Sequence, residues 1–124
     1  MISMAGSRWV RLDVDYFHNP KVLAARRDGR DLHLASICWV GSQLTDGRIP
    51  AQVIPAILHD AGVKQRAVDL AVDAGLWVPN GNGFHLHDFT EMNGTRADVE
   101  REREGWRRRQ QRRRTSAGQF EGDE

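Results

Sequence analysis

The chain has 124 residues, 40% apolar and 28% charged, with a net charge of +1. That suffices for one small core, contains no apolar run approaching membrane-spanning length, and leaves a single cysteine, Cys38, too few for an internal disulfide or a cysteine-based zinc cluster. Met1 to Ser7 have neither a basic start before an apolar stretch nor a small-residue cleavage site, so a soluble, cytoplasmic protein with a disordered N-terminus over 1–7 is expected. The charge is unevenly spread. Residues 1–94 carry nine Lys and Arg against ten Asp and Glu, a balance of −1, whereas 95–124 carry nine Arg against seven acids, a balance of +2.

In "RWVRLDVDYF", Val10, Leu12, Val14 and Tyr16 alternate with Arg11, Asp13 and Asp15, which predicts a half-buried strand. "NPKVLAARRDG" follows, with Asn19 as cap, Pro20 at the first helical position and Gly29 at the end of a short helix. The next segment, 31–44, predicts the main core helix, with Leu34, Ile37, Cys38 and Gly41 on one face and Asp31 at its start. Cys38 there reads as a buried, inert thiol. "TDG" is a turn, "RIP" a minimal strand, and "AQVIPAILHDAG" a further helix in which Pro55 sits near the first turn or restarts the helix.

From Val63 to Ala74, Ala67, Val68, Leu70, Ala71 and Ala74 gather on one side of a helix, and Gln65, Arg66, Asp69 and Asp73 on the other. Gly75 ends it. "LWV" and "FHLHDF" are strand pieces around a Pro-Asn-Gly-Asn-Gly turn, a hairpin whose Asn-Gly pair suits a type I′ turn. Thr95 opens a "TRAD" capping pattern, and the residues that follow are strong helix formers interrupted only by Gly105. Trp9, Trp39 and Trp77 read as core; Trp106, among arginines, either packs the tail helix onto the domain or stacks on a base.

Helix, short strand, helix, helix, hairpin is the winged helix order, in which the last helix enters the major groove and the hairpin loop lies along the backbone. The fold class expected is therefore α+β, mainly α: a winged helix-turn-helix over 8–94 with an N-terminal strand, a basic helical extension over 95–114 and a disordered tail over 115–124. "WVRLDVDYFHNPKVLAA", "RDLHLASICWVGSQLTDGRIP", "AVDAGLWVPNGNGFHLHDF" and the arginine-rich end together resemble a family of small proteins of actinobacteria and their phages and prophages. These are described as helix-turn-helix or replication-initiation-like and are similar to the N-terminal winged helix of phage replisome organisers. The resemblance spans about residues 8–114 and rests on "LTDGRIP", "AGLW" and "HDF" as a set. It implies a DNA-binding protein acting in replication initiation or transcriptional regulation. After the hairpin, however, no second folded domain such as an organiser uses to recruit a helicase loader is expected from these residues.

In such a fold the reading residues are Lys64, Gln65, Arg66 and Asp69. Arg suits guanine, Gln adenine, and Asp the cytosine amino group. Against this, Asp69 and Asp73 place negative charge where phosphates approach, and Arg66 can pair with Asp69 on an ordinary solvated helix face. Asn80, Asn82 and His85 are the wing candidates for phosphate contact, although a plain hairpin turn needs no ligand. Arg107, Arg108, Arg109, Arg112, Arg113 and Arg114 form a block with no acid in "WRRRQQRRR", a phosphate-seeking segment whether helical or disordered. His85, His87 and Asp88 do not complete a metal site, since His18, His33 and His59 are not spaced to join them, and Asp13 with Asp15 reads as a wet strand face.

Neither a nucleophile triad nor a phosphate-cradling glycine loop is present, so no enzyme, cofactor or metal is expected. The expected partner is double-stranded DNA, with a replication or transcription protein as a second partner and no membrane. A homodimer through the tail helix stays open, although a seam of apolar heptads is absent. The competing reading is a protein-protein interaction adaptor whose basic tail binds nucleic acid without specificity.

Overall fold

The computed structural model of the chain describes residues 8–122, so the N-terminus expected to be disordered lies outside the described residues. It divides into two compact units, Met1–Asn93 and Gly94–Glu124. The first contains, after a 3-10 turn at Tyr16–His18, the helix α1 (Pro20–Gln43), the strand β1 (Arg48–Ile49) and a second 3-10 turn at Ala51–Val53. The helices α2 (Ile54–Ala61) and α3 (Arg66–Asp73), the hairpin β2 (Trp77–Asn80) and β3 (Gly83–Leu86), and the short helix α4 (Phe89–Asn93) follow. The second unit is one helix, α5 (Arg96–Gly122). The protein is thus mainly helical with a small three-stranded antiparallel sheet, ordered β1-β3-β2. Among the described residues no helix is long and apolar enough to cross a membrane.

The N-terminal segment corrects the first expectation. Residues 8–13 form no strand, and the sheet contains only β1, β2 and β3. The polar positions of the alternation build a turn instead: the Asp13 carboxylate accepts from the Asp15 amide at 2.7 Å, and the Asp13 carbonyl accepts from Tyr16 at 3.0 Å. This local bonding outcompetes a ladder that has no partner strand. Trp9 is 76% exposed, not core.

The two helices expected on either side of Gly29 are present within α1, but they meet at a different residue. Asn19 caps α1 by accepting from the Lys21 amide, with Pro20 in the first turn, and the chain breaks at Arg26 (φ 62°, ψ −173°) rather than at Gly29. Gly29 is buried inside the helix because α3 crosses there. A Cβ at Gly29 would lie 3.1 Å from the Leu70 Cβ and 2.9 Å from that of Ala25.

The core face of α1 is also rotated from the expected one. Leu32, His33, Ser36, Ile37, Val40 and Gly41 are buried, Leu34 is half-buried and Cys38 is exposed. Two polar residues take core positions because both are hydrogen-bonded there. Ser36 Oγ donates to the His33 carbonyl at 2.7 Å and accepts from Trp77 Nε1–H at 3.0 Å. His33 Nδ1 lies 2.7 Å from the Tyr16 hydroxyl. Trp77 is fully buried and sits with Leu32, Ile49, Ile57 and Val40 at the centre, where each such side chain contributes about 1.5–3 kcal/mol by burial. Trp39 only packs against this cluster from its half-buried edge.

Candidate nucleic-acid interface

Helix α2 starts with Pro55 in its first turn, where the missing N–H costs nothing. It ends at Gly62, whose φ of 70° lets its amide and that of Val63 reach back to the Leu58 carbonyl and close the helix. The turn to α3 spans 62–65. The helix expected to begin at Val63 begins at Arg66, because the Lys64 and Gln65 carbonyls accept from Ala67 and Val68 in tight three-residue turns before regular bonding starts. Lys64 and Gln65 therefore stand at the leading end of α3 rather than on its barrel.

Helix α3 buries Ala67, Val68 and Ala71, and leaves Lys64, Gln65, Arg66, Asp69 and Asp73 exposed. Arg66 is not paired with Asp69, the partner considered from sequence. Its guanidinium lies 3.4 Å from the Asp28 carboxylate of α1, with the Arg66 side chain 76% exposed. An ion pair this open to water holds Arg66 by no more than about 1 kcal/mol, so another anion can displace Asp28.

Asn80 and Asn82 are exposed at the hairpin tip. Asn80 pairs with Gly83 across a two-residue turn, so the strands run closer to the tip than a five-residue loop allows. Of the two central residues, Gly81 has positive φ (63°) and Asn82 does not. This corrects the expected type I′ turn to the II′ pattern, which needs glycine at its first central position only. At Gly83 an added Cβ would fall on the Ile49 carbonyl oxygen, so β1 can approach β3 only because that position is glycine. His85 lies mid-sheet on β3, opposite Arg48 on one side and Val78 on the other. It is half-buried with an unpartnered, buried Nδ1, and so is set back from the tip.

His87 lies beyond the strand and pairs with Asp88 at 2.8 Å, while Leu86 packs inward. Among the described residues no group of three or more His, Cys, Asp or Glu is placed to hold a metal ion.

The capping pattern at Thr95 forms as a reciprocal pair: the Thr95 hydroxyl accepts from the Asp98 amide at 3.2 Å, and the Asp98 carboxylate accepts from the Thr95 amide at 3.0 Å. The Thr95 amide first, then its hydroxyl and Arg101, hold the Asp98 carboxyl below the usual carboxylate range. Helix α5 passes Gly105 without a break, and its backbone stays helical to Gly122, where a disordered tail was expected from residue 115. The segment contains no proline, and each residue added to an existing helix gains one hydrogen bond.

Arg96 pairs with Glu100, Arg101 with Asp98, and both Arg107 and Arg108 with Glu104 at 3.4 Å. Arg109, Arg112, Arg113 and Arg114 are exposed and hold no ion pair among the described residues. Trp106, on the same helix, is 58% exposed.

Asp28 is the neighbour of Arg66 that local spacing does not reveal. Its signal is the run "RRDGR", in which the glycine marks where α3 crosses and the acid beside it faces the first turn of α3. Neither a family model, nor a curated protein, nor a solved structure matches the chain.

Proposed function

We propose that the chain is a winged helix DNA-binding protein of phage or prophage type, acting in replication initiation or transcriptional regulation. The observation that carries this reading is the sheet order β1-β3-β2 next to an α2–turn–α3 pair whose second helix keeps its polar side open to solvent. In this arrangement α3 enters the major groove with Lys64, Gln65 and Arg66 leading, Asn80 and Asn82 meet the neighbouring phosphates, and the unpaired arginines of α5 add affinity that ignores sequence. Arg66 exchanges the Asp28 carboxylate for an acceptor on the DNA.

A second reading, an interaction adaptor with a basic tail that binds nucleic acid without specificity, is favoured by the acidic side chains Asp69 and Asp73 exposed on α3 and by the −1 balance of residues 1–94.

Fluorescence anisotropy of the full chain on duplex DNA over a salt series separates the two. Replacing Arg107, Arg108, Arg109, Arg112, Arg113 and Arg114 together by Gln should reduce the slope of log K against log salt by about 5, at ~0.9 per phosphate contact. Binding that survives this change and weakens further with Arg66→Ala supports groove contact by α3. Complete loss of binding in the tail variant favours the adaptor.

A further inference from the structure

The unit Met1–Asn93 also contains a cleft lined by none of the residues assigned to DNA. Its volume is about 620 Å³, within the roughly 300–1,000 Å³ typical of small-molecule pockets. Val22 and Ile37 of α1, Leu76, and Leu86 and Phe89 give it a largely apolar wall.

One polar group lies deep in that wall. His33 lines the cleft and is only 8% exposed. The Tyr16 hydroxyl, a neutral phenol whose pKa burial pushes up to about 12, lies 2.7 Å from His33 Nδ1. With that hydroxyl as the donor, the ring proton of neutral His33 is on Nε2. That N–H has no hydrogen-bond partner among the described residues, and it is not sealed from solvent. A half-satisfied histidine on an apolar wall leaves one ring nitrogen awaiting a hydrogen-bond partner.

The rim carries the opposite chemistry. Asp13, Asp15 and Asp88 line the cleft and are exposed, Asp88 beside its partner His87, against Arg11 and Lys21, a formal balance of three negative to two positive with the histidines neutral. An anionic ligand gains nothing from such a rim. N–H donors do, because the carboxylates accept from them.

We propose that the Tyr16 hydroxyl donates to His33 Nδ1, which leaves the ring proton on Nε2, and that this cleft binds a small, neutral ring compound bearing a carboxamide or lactam, its carbonyl accepting from His33 Nε2–H and its N–H groups turned to the rim carboxylates. The cleft is independent of the DNA-binding reading, since its lining shares no residue with the α3, hairpin or α5 sets.

The test is NMR of the isotopically labelled full chain titrated with three probes: benzamide, benzoate and toluene. Benzamide should perturb Ile37 and Leu86 saturably and move the His33 Nε2–H proton downfield. It should bind at least about tenfold more tightly than benzoate or toluene, a difference of about 1.4 kcal/mol. In His33→Phe that preference over toluene should vanish while toluene binding persists. Should His33→Phe fail to fold, because the Tyr16 hydroxyl loses its partner, the Nε2–H signal of the unaltered chain decides by itself. Equal perturbation by all three probes, no saturable perturbation by benzamide, or an unmoved Nε2–H proton overturns the proposal.

Discussion

The unit Met1–Asn93 closes around Trp77, Leu32, Ile49 and Ile57, all removed from water, and α1, α2 and α3 each contribute buried apolar residues to that centre. Helix α5 has no such centre among its described side chains. Val99, Gly105 and Gln110 are half-buried, the arginines from Arg96 to Arg114 are exposed, and what stiffens the helix is a cap and ion pairs three or four residues apart. Burial is indifferent to salt and collective, whereas capping and surface pairs are local, individually small and screened. One region should therefore unfold as a unit, and the other should lengthen or fray with conditions.

The largest effect that tests this contrast is Trp77→Ala. It removes the most deeply buried large side chain and leaves the Ser36 hydroxyl without its indole donor, at a cost of about 3–5 kcal/mol. Urea denaturation followed by a core resonance should show most of the stability of the first unit gone, with helical circular dichroism from α5 largely retained. Simultaneous loss of both signals would mean that the two regions do not differ in the way described.

Acid provides the next test. Burial pushes the His33 pKa from 6.5 down to about 4. The unfolded chain therefore takes up this proton at higher pH than the folded one, so the contribution is complete above about pH 6.5 and is lost as pH falls towards 4. At 1.36 kcal/mol per unit it amounts to about 3 kcal/mol. Urea midpoints at about pH 7.5 and pH 4.5 should differ by more in the unaltered protein than in His33→Phe. Equal differences in the two would place the acid sensitivity elsewhere.

Thr95→Ala is smaller. It removes half of the reciprocal cap at the start of α5 and should cost about 1 kcal/mol of that helix. The amides from 96 to 99 should exchange hydrogen faster, while Trp77 and its neighbours keep their protection. Faster exchange in the core would contradict the local character assigned to α5.

Legibility in the sequence followed the same division. The hairpin, the cap at Thr95 and the polar side of α3 were readable because each depends on neighbours in sequence: two-residue pleating, a Thr-x-x-Asp spacing, a 100° periodicity. The N-terminal segment was misread because alternation predicts a strand without saying whether a partner strand exists. The face of α1 was misread for a related reason. His33 and Ser36 are polar by name, and only the Tyr16 hydroxyl and the Trp77 indole, 17 and 41 residues away, make them core. Gly29 has the sequence look of a helix end but is a crossing point, and the partner of Arg66 lies across on α1, not three residues along. Contacts set by packing between distant segments leave little local pattern.

The most direct measurement is backbone amide NMR of the full chain with a mixed-sequence DNA duplex at about 150 mM salt, where exposed long-range charge effects are screened beyond ~8 Å. Amides of 64–69 and 80–82 should shift along with those of α5, and Arg66 should show its release from Asp28. Shifts confined to α5, with α3 and the hairpin tip unmoved, would contradict the account.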